Sequence, residues 1–202
     1  MTSMHTVQGR EVLPVSSRVT SKTFFLSPTH MFEFLGKDGE TFVCLEQFIQ
    51  YQKAKFFNDD EAADKILHAS TVRDFQKLGF KVKGFNAEAW EEEKYGAMRG
   101  GISFKFSQNI SMAKKLARTA GYYLAWCGFR DKFWSCNCKE SDPIIYHPSM
   151  WTGKNMYGKA LMCARDILLH LLDPEYSDCY REAMLNAKYY PQSFIMSRID
   201  MD

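Results

Sequence analysis

No stretch of this 202-residue chain approaches the ~20 consecutive apolar residues that a membrane-crossing helix needs. Residues 1–20 contain no continuous apolar core of the kind a secretory leader carries, so the expectation is an intracellular protein, cytoplasmic or nuclear. Charge of one sign is also missing. Lys and Arg number 26 against 24 Asp and Glu, a balance of +2 that neither demands nor forbids a nucleic acid. Six cysteines occur without a secretory context, so reduced thiols are expected rather than disulfides. Cys127, Cys136 and Cys138 have the spacing C-x8-C-x-C, but zinc would want a fourth ligand. His147 could be offered, yet no second C-x2-C or H-x3-H pair supports it, and no metal or other cofactor is expected. Repeats and low-complexity tracts are absent too. The chain does have material to bury: 46% hydrophobic and 15% aromatic residues suffice for one packed domain of this length.

Residues 1–22 read as a flexible N-terminal segment, 23–172 as the domain proper, and 173–202 as a helical extension with a helix over 175–188. Thr23–Leu26 looks like a short strand. Runs 31–35 and 40–43 flank Gly36-Lys-Asp-Gly39, a hairpin with Asp-Gly at its turn. Helices are predicted from Glu46 to about Phe57, from Asn58–Asp60 to His68, and over Val72–Leu78 behind a Ser70 or Thr71 cap. A helix capped by Asn86 is predicted to break or kink at Gly100-Gly101. Further helices cover Met112–Thr119 and Asn155 or Met156 to Leu172, and strands cover Tyr122–Trp126 and Phe133–Cys138. The fold class is α+β: a mainly helical single domain with small antiparallel strand pairs.

Chemistry concentrates in the run Cys44-Leu-Glu-Gln-Phe-Ile-Gln-Tyr-Gln-Lys53. On a helix, Glu46, Gln50 and Lys53 fall at i, i+4 and i+7, within roughly a 60° sector. An acid, an amide and an amine then share one face amid Phe48, Phe56 and Phe57. Exposed ion pairs use the same spacing, so this pattern alone does not define a site. A second dense segment, Trp151-Thr-Gly153-Lys-Asn155-Met-Tyr-Gly158 through Arg165, follows a hundred residues later. Between them lie Trp90, Lys105-Phe-Ser-Gln-Asn109 and Asp131-Lys-Phe-Trp134. In this order and spacing the chain resembles the NADAR, or YbiA-like, family over about residues 24–170.

The resemblance implies a YbiA-like fold and hydrolysis of an N-glycoside between a ribose anomeric carbon and a nitrogen. Implied substrates are ADP-ribose on guanine, including ADP-ribosylated DNA or RNA, or phosphoribosylated intermediates of riboflavin synthesis. A module that binds ADP-ribose without cleaving it is a further reading, and no membrane partner is implied. Glu46 would stabilise the developing oxocarbenium charge; the bland alternative is an ion pair with Lys53 or Lys115. Lys53 would hold a phosphate as a point charge, or form an imine with ring-opened ribose if burial lowers its pKa. Gln50 suits ribose hydroxyls or a bridge between its two neighbours. Asp131 would orient Lys53 or a water, unless it is a turn aspartate. Trp90, Trp134 and Trp151 are stacking candidates. Asn155 and Gly158 open a helix whose N–H groups could take a phosphate, with Gly153 allowing close approach and Lys154 or Arg165 assisting; a plain Asn cap competes with that account. The chain departs from the family pattern at Gln47 (histidine in the family), Trp126 (glutamate) and Ser135 (glycine). The short basic segment Lys81-Val-Lys83 would fit a DNA backbone or plain solubility.

Overall fold

The computed structural model describes residues 6–7 and 10–172; the expected helix over 175–188 lies outside them. In chain order the elements are β1 (Thr6–Val7), β2 (Arg10–Val15), β3 (Phe34–Leu35), β4 (Thr41–Phe42), α1 (Leu45–Phe56), α2 (Asp60–His68), α3 (Val72–Gly79), α4 (Ala87–Ser107), α5 (Ile110–Ala117), β5 (Tyr122–Trp126) and α6 (Met156–Leu172). This is the mainly helical α+β architecture that the sequence implies. No helix among the described residues is long and apolar enough to cross a membrane. The described residues form two compact units: those up to His30 with Ser111–Leu169, and Met31–Ile110 with 170–172.

In the first unit, β2 is flanked by β1, antiparallel, and by β5, parallel, with register running from Glu11↔Tyr122 to Val15↔Trp126. Arg10–Val15 falls within the segment expected to be a flexible lead-in, and it is a strand instead. Pro14 argues against a central strand because it lacks an N–H. Among the described residues, β1 pairs only with Arg10 and Glu11, and no strand faces Pro14 on that edge of β2. Thr23–Leu26 is also not a strand. Phe24–Leu26 form one turn of 3-10 helix, entered through Ser21 and Thr23, whose hydroxyls bond locally at 2.9 Å. The Tyr157 hydroxyl fixes this turn by donating to Leu26 O at 2.6 Å. Phe133–Cys138, expected as a strand, is an irregular loop with a different task, described below.

In the second unit, β3 and β4 form the expected hairpin, with Phe34 opposite Phe42 and Gly39 at φ 94°, a left-handed turn that favours glycine. Gln108 works as a further piece of this small sheet. Its Oε1 accepts from Leu35 N (2.8 Å) and its Nε2 donates to Leu35 O (2.7 Å). Helix α1 packs against α2, α3 and α4, and the rings of Phe34, Phe42, Phe48 and Phe104 fill the space beneath, Phe42 and Phe48 being edge-to-face at 5.0 Å. Helix α4 does not break at Gly100-Gly101; it runs unbroken through both glycines. A Cβ on Gly101 would stand 2.6 Å from the Phe48 ring and 3.1 Å from Leu45, so the missing side chain is what lets α4 approach α1. Tertiary packing outweighs the helix penalty of glycine, about 1 kcal/mol per residue.

Gln47 is 1% exposed. Its Oε1 accepts from Val43 N (2.8 Å), and its Nε2 donates to both Ile66 O and Leu67 O at 3.0 Å, tying α1 to the end of α2. Replacing Gln47 with Leu keeps the volume and strands these backbone groups. It is expected to destabilise the fold by about 1–3 kcal/mol, read as a lower urea midpoint with an unchanged slope.

Candidate active site

The predicted polar face exists. Glu46 lies in the first turn of α1, where a carboxylate complements the helix dipole, and it is half-buried. One turn on, Gln50 Nε2 donates to Glu46 Oε1 at 3.0 Å. Among the described residues the other amide atom, Gln50 Oε1, is buried without a hydrogen-bond partner. It lies over Gly79, where a Cβ would come within 1.8 Å of it. A residue with a Cβ at the end of α3 would have to push the Gln50 amide aside. Gln50 does not bridge to Lys53, so the bridging alternative is not what forms.

Lys53 lies on the next turn, its Nζ 5.6 Å from the centroid of the Phe85 ring. Among the described residues no carboxylate comes within ion-pair distance of it. Burial pushes its pKa below the usual lysine value, while the Glu46 carboxylate pulls the other way and only partly offsets this. Rings border the amine: Phe57 stands 5.4 Å from Phe85, Phe56 4.9 Å from Phe57, and Phe56 5.9 Å from Trp90. Trp90, a stacking candidate from sequence, is only 9% exposed and serves as backing for Phe56. The open rings are Phe56 and Phe85, at 42% and 49%.

The remaining predicted site residues lie in the other unit, and the structure gives most of them structural work. Asp131 is a turn aspartate: its Oδ1 accepts from Phe133 N (3.0 Å) and Trp134 N (2.9 Å). Trp134 is half-buried, edge-on to Phe133 at 4.8 Å. Trp151 donates its indole N–H to Ile144 O (3.1 Å) and packs on a core of Val12, Ala125, Cys136 and Ile145, so its ring is not a free platform.

The expected phosphate cradle at the start of α6 is closed. The N–H groups of Gly153, Lys154, Asn155, Met156 and Tyr157 donate to the carbonyls of Cys136, Lys132, Ser135, Phe133 and Trp134 respectively, at 2.8–3.3 Å. A loop of carbonyls thus occupies the place an anion would take. Asn155, 1% exposed and at φ 52°, has both amide atoms committed to β5, accepting from Trp126 N (2.9 Å) and donating to Leu124 O (2.8 Å). Gly158 is glycine because a Cβ would lie 2.3 Å from Leu124 O. Arg165, fully buried, donates through Nη1 to Thr119 O and Tyr122 O, both at 2.8 Å, and so pins the turn into β5.

The NADAR domain model matches residues 14–169, across both units. The chain belongs to the NADAR family. It is 30% identical over 140 residues to an N-glycosidase of Acanthamoeba polyphaga mimivirus, covering 69% of this chain and 82% of that one. It is also 30% identical over 162 residues to protein irg-1 of Caenorhabditis elegans, covering 79% and 71%. The solution NMR structure of the E. coli protein YbiA superimposes with a TM-score of 0.62 at 22% identity, over 83% of this chain and 90% of that one, which places the fold as YbiA-like.

Two of the departures from the family pattern acquire physical explanations in this NADAR chain. Gln47 is the clasp described above. Ser135 is fully buried, its Oγ lying between the Gly128 and Asp131 carbonyls while accepting from Asn137 N at 2.9 Å. Trp126 stands edge-on to Tyr157 at 5.0 Å, a ring where the family pattern has a carboxylate. Cys127 and Cys136 are pushed up to about 12 by burial and their thiols bond to backbone carbonyls. Among the described residues no three His, Cys, Asp or Glu side chains are placed to hold a metal ion.

Two residues of the second unit have surroundings to which sequence reasoning attached no role, although Lys105 heads one of the motifs that carry the resemblance. Lys105 is fully buried, its ammonium 5.8 Å from the Phe106 ring, and desolvation lowers its pKa to about 8. A lysine between Phe104 and Phe106 on a helix that buries both was a visible signal. Phe85 gave none: between Gly84 and the helix cap Asn86 it reads as a loop residue.

Proposed function

We propose that this protein is an N-glycosidase that hydrolyses a ribose–nitrogen bond, and that its substrate is ADP-ribose attached to guanine in nucleic acid or nucleotide. The observation carrying this reading is the α1 face, where the Glu46 carboxylate, an orphaned Gln50 acceptor and a Lys53 amine of lowered pKa succeed one another turn by turn. N-glycoside cleavage builds positive charge on the sugar, which Glu46 stabilises. Gln50 Oε1 accepts a ribose hydroxyl, giving a buried acceptor its missing partner. Opening of the ribose breaks its C1–O4′ bond, O4′ taking up a proton and C1 becoming doubly bonded to the base nitrogen, and Lys53, where neutral, adds to that C1. The base leaves with a proton, and water hydrolyses the resulting imine to return the amine. The mimivirus relative named an N-glycosidase supports the reaction type. The run of rings from Phe56 to Phe85 supports a bicyclic base over the monocyclic riboflavin intermediates, because more aromatic area is available to it.

The test is direct. The protein is incubated with an ADP-ribosylated guanine oligonucleotide and, separately, with the phosphoribosylated pyrimidines, and released ribose species are followed by mass spectrometry. Release from guanine is expected. Release from the pyrimidines alone would reassign the substrate, and binding without turnover would make the protein a reader of ADP-ribose. Borohydride during turnover is expected to trap a protein adduct that disappears in Lys53→Ala. An adduct that persists in that variant rules out the imine. Because the imine needs the neutral amine, kcat should rise with pH through the Lys53 titration, below the ~10.4 of a free lysine.

A further inference from the structure

Phe85 occupies a position that core packing does not explain. The chain reaches it under tight control. Asp59, 6% exposed, accepts from Lys83 N at 2.7 Å and from Ala62 N at 3.1 Å, anchoring the approach. Gly84 then turns at φ 69°, a conformation costly for any residue with a Cβ. Asn86 follows at once, its Oδ1 accepting from Ala89 N to cap α4. An aromatic residue just before a helix cap commonly staples onto the fourth helical residue, here Trp90. Trp90 instead pairs with Phe56, while the Phe85 ring lies 5.4 Å from Phe57 and covers the Lys53 ammonium. A ring with half its surface in water, on an anchored backbone and beside an amine with no ion pair among the described residues, has the makings of a ligand contact.

We infer that Phe85, backed by Phe57, is the platform on which the substrate's leaving base stacks, and that it sets base preference while Lys53 and Glu46 act on the sugar. The inference rests on the N-glycosidase reading. It follows from connectivity: the base and the anomeric carbon are one bond apart, so a base lying against the face of Phe85 that Lys53 borders brings the reacting carbon towards the amine. A π face accepts any planar base, and its contribution grows with the overlapped area. The platform is uncharged and offers no hydrogen bonds, so it distinguishes bases by ring size rather than by edge pattern.

The experiment compares Phe85→Ala, Phe85→Leu and Phe85→Trp by steady-state kinetics on an ADP-ribosylated guanine nucleoside. In parallel, Kd for the same compound is measured calorimetrically in a Glu46→Gln background with and without Phe85→Ala. Phe85→Ala should raise KM and Kd about tenfold, with kcat changed less than threefold. Leucine, which restores volume without the π face, should remain impaired, whereas tryptophan should restore or improve KM. Unchanged KM and Kd in Phe85→Ala, or full recovery with leucine, would overturn the platform. If the wild type turns nothing over but Kd still responds to Phe85, the glycosidase reading fails while the platform stands. If the wild type is active and the Phe85 variants match it, the platform fails while the glycosidase reading stands.

Discussion

Replacing Glu46 with Gln is expected to lower kcat by roughly a thousandfold while KM changes little, because the loss falls on charge that develops only in the transition state. The substitution is nearly isosteric, and an amide can still accept the Gln50 Nε2 hydrogen bond now made at 3.0 Å, so α1 should keep its shape. Circular dichroism and thermal unfolding check that. The pH profile supplies a second readout. Glu46 favours the charged form of Lys53 against the desolvation that lowers it. Without the carboxylate the amine loses its proton more readily, and the rising limb of the residual rate should move to lower pH. A limb that stays in place would mean that Glu46 and Lys53 do not share a site, and a kcat within threefold of wild type would remove Glu46 from the chemistry.

The largest effect on stability is expected from Gly153→Ala. The added Cβ would lie 2.2 Å from Ser135 O, 2.7 Å from Cys136 C and 2.8 Å from Asn137 N, all backbone atoms that cannot rotate aside. Relief requires the 135–137 backbone to shift against the start of α6. Overpacking of this kind costs about 3 kcal/mol, a fall in Tm on the order of 10 °C for a chain of this size. Gly121→Ala is the control, since nothing lies within 4 Å of its Cβ position. Differential scanning calorimetry of the two variants decides the matter: equal melting temperatures would show that the loop yields freely.

What the sequence made legible was local. The α1 face follows from spacing alone, the hairpin from Asp-Gly, and the Thr71 and Asn86 caps from residue type at a helix start. What stayed hidden depends on partners distant in the chain. Strand β2 is a strand because β5, more than a hundred residues on, lies beside it, and nothing within Arg10–Val15 announces that. The unbroken α4 is decided by Phe48 and Leu45 meeting Gly101. Asp131 and Asn155 each allowed a catalytic or binding role and a capping role from sequence. Which one the folded chain uses turns on where the neighbouring N–H and C=O groups fall, and that is set by tertiary structure.

The splice between the 132–136 loop and the head of α6 is made wholly of main-chain atoms. Such a joint is indifferent to what the loop's side chains are, provided the path of the chain is held. Substitutions along it should be tolerated wherever the new group finds room, as the hydroxyl of Ser135 does. Insertion or deletion of a single residue would put all five bonds out of register together. Drift in this part of the molecule is therefore free in composition and locked in length.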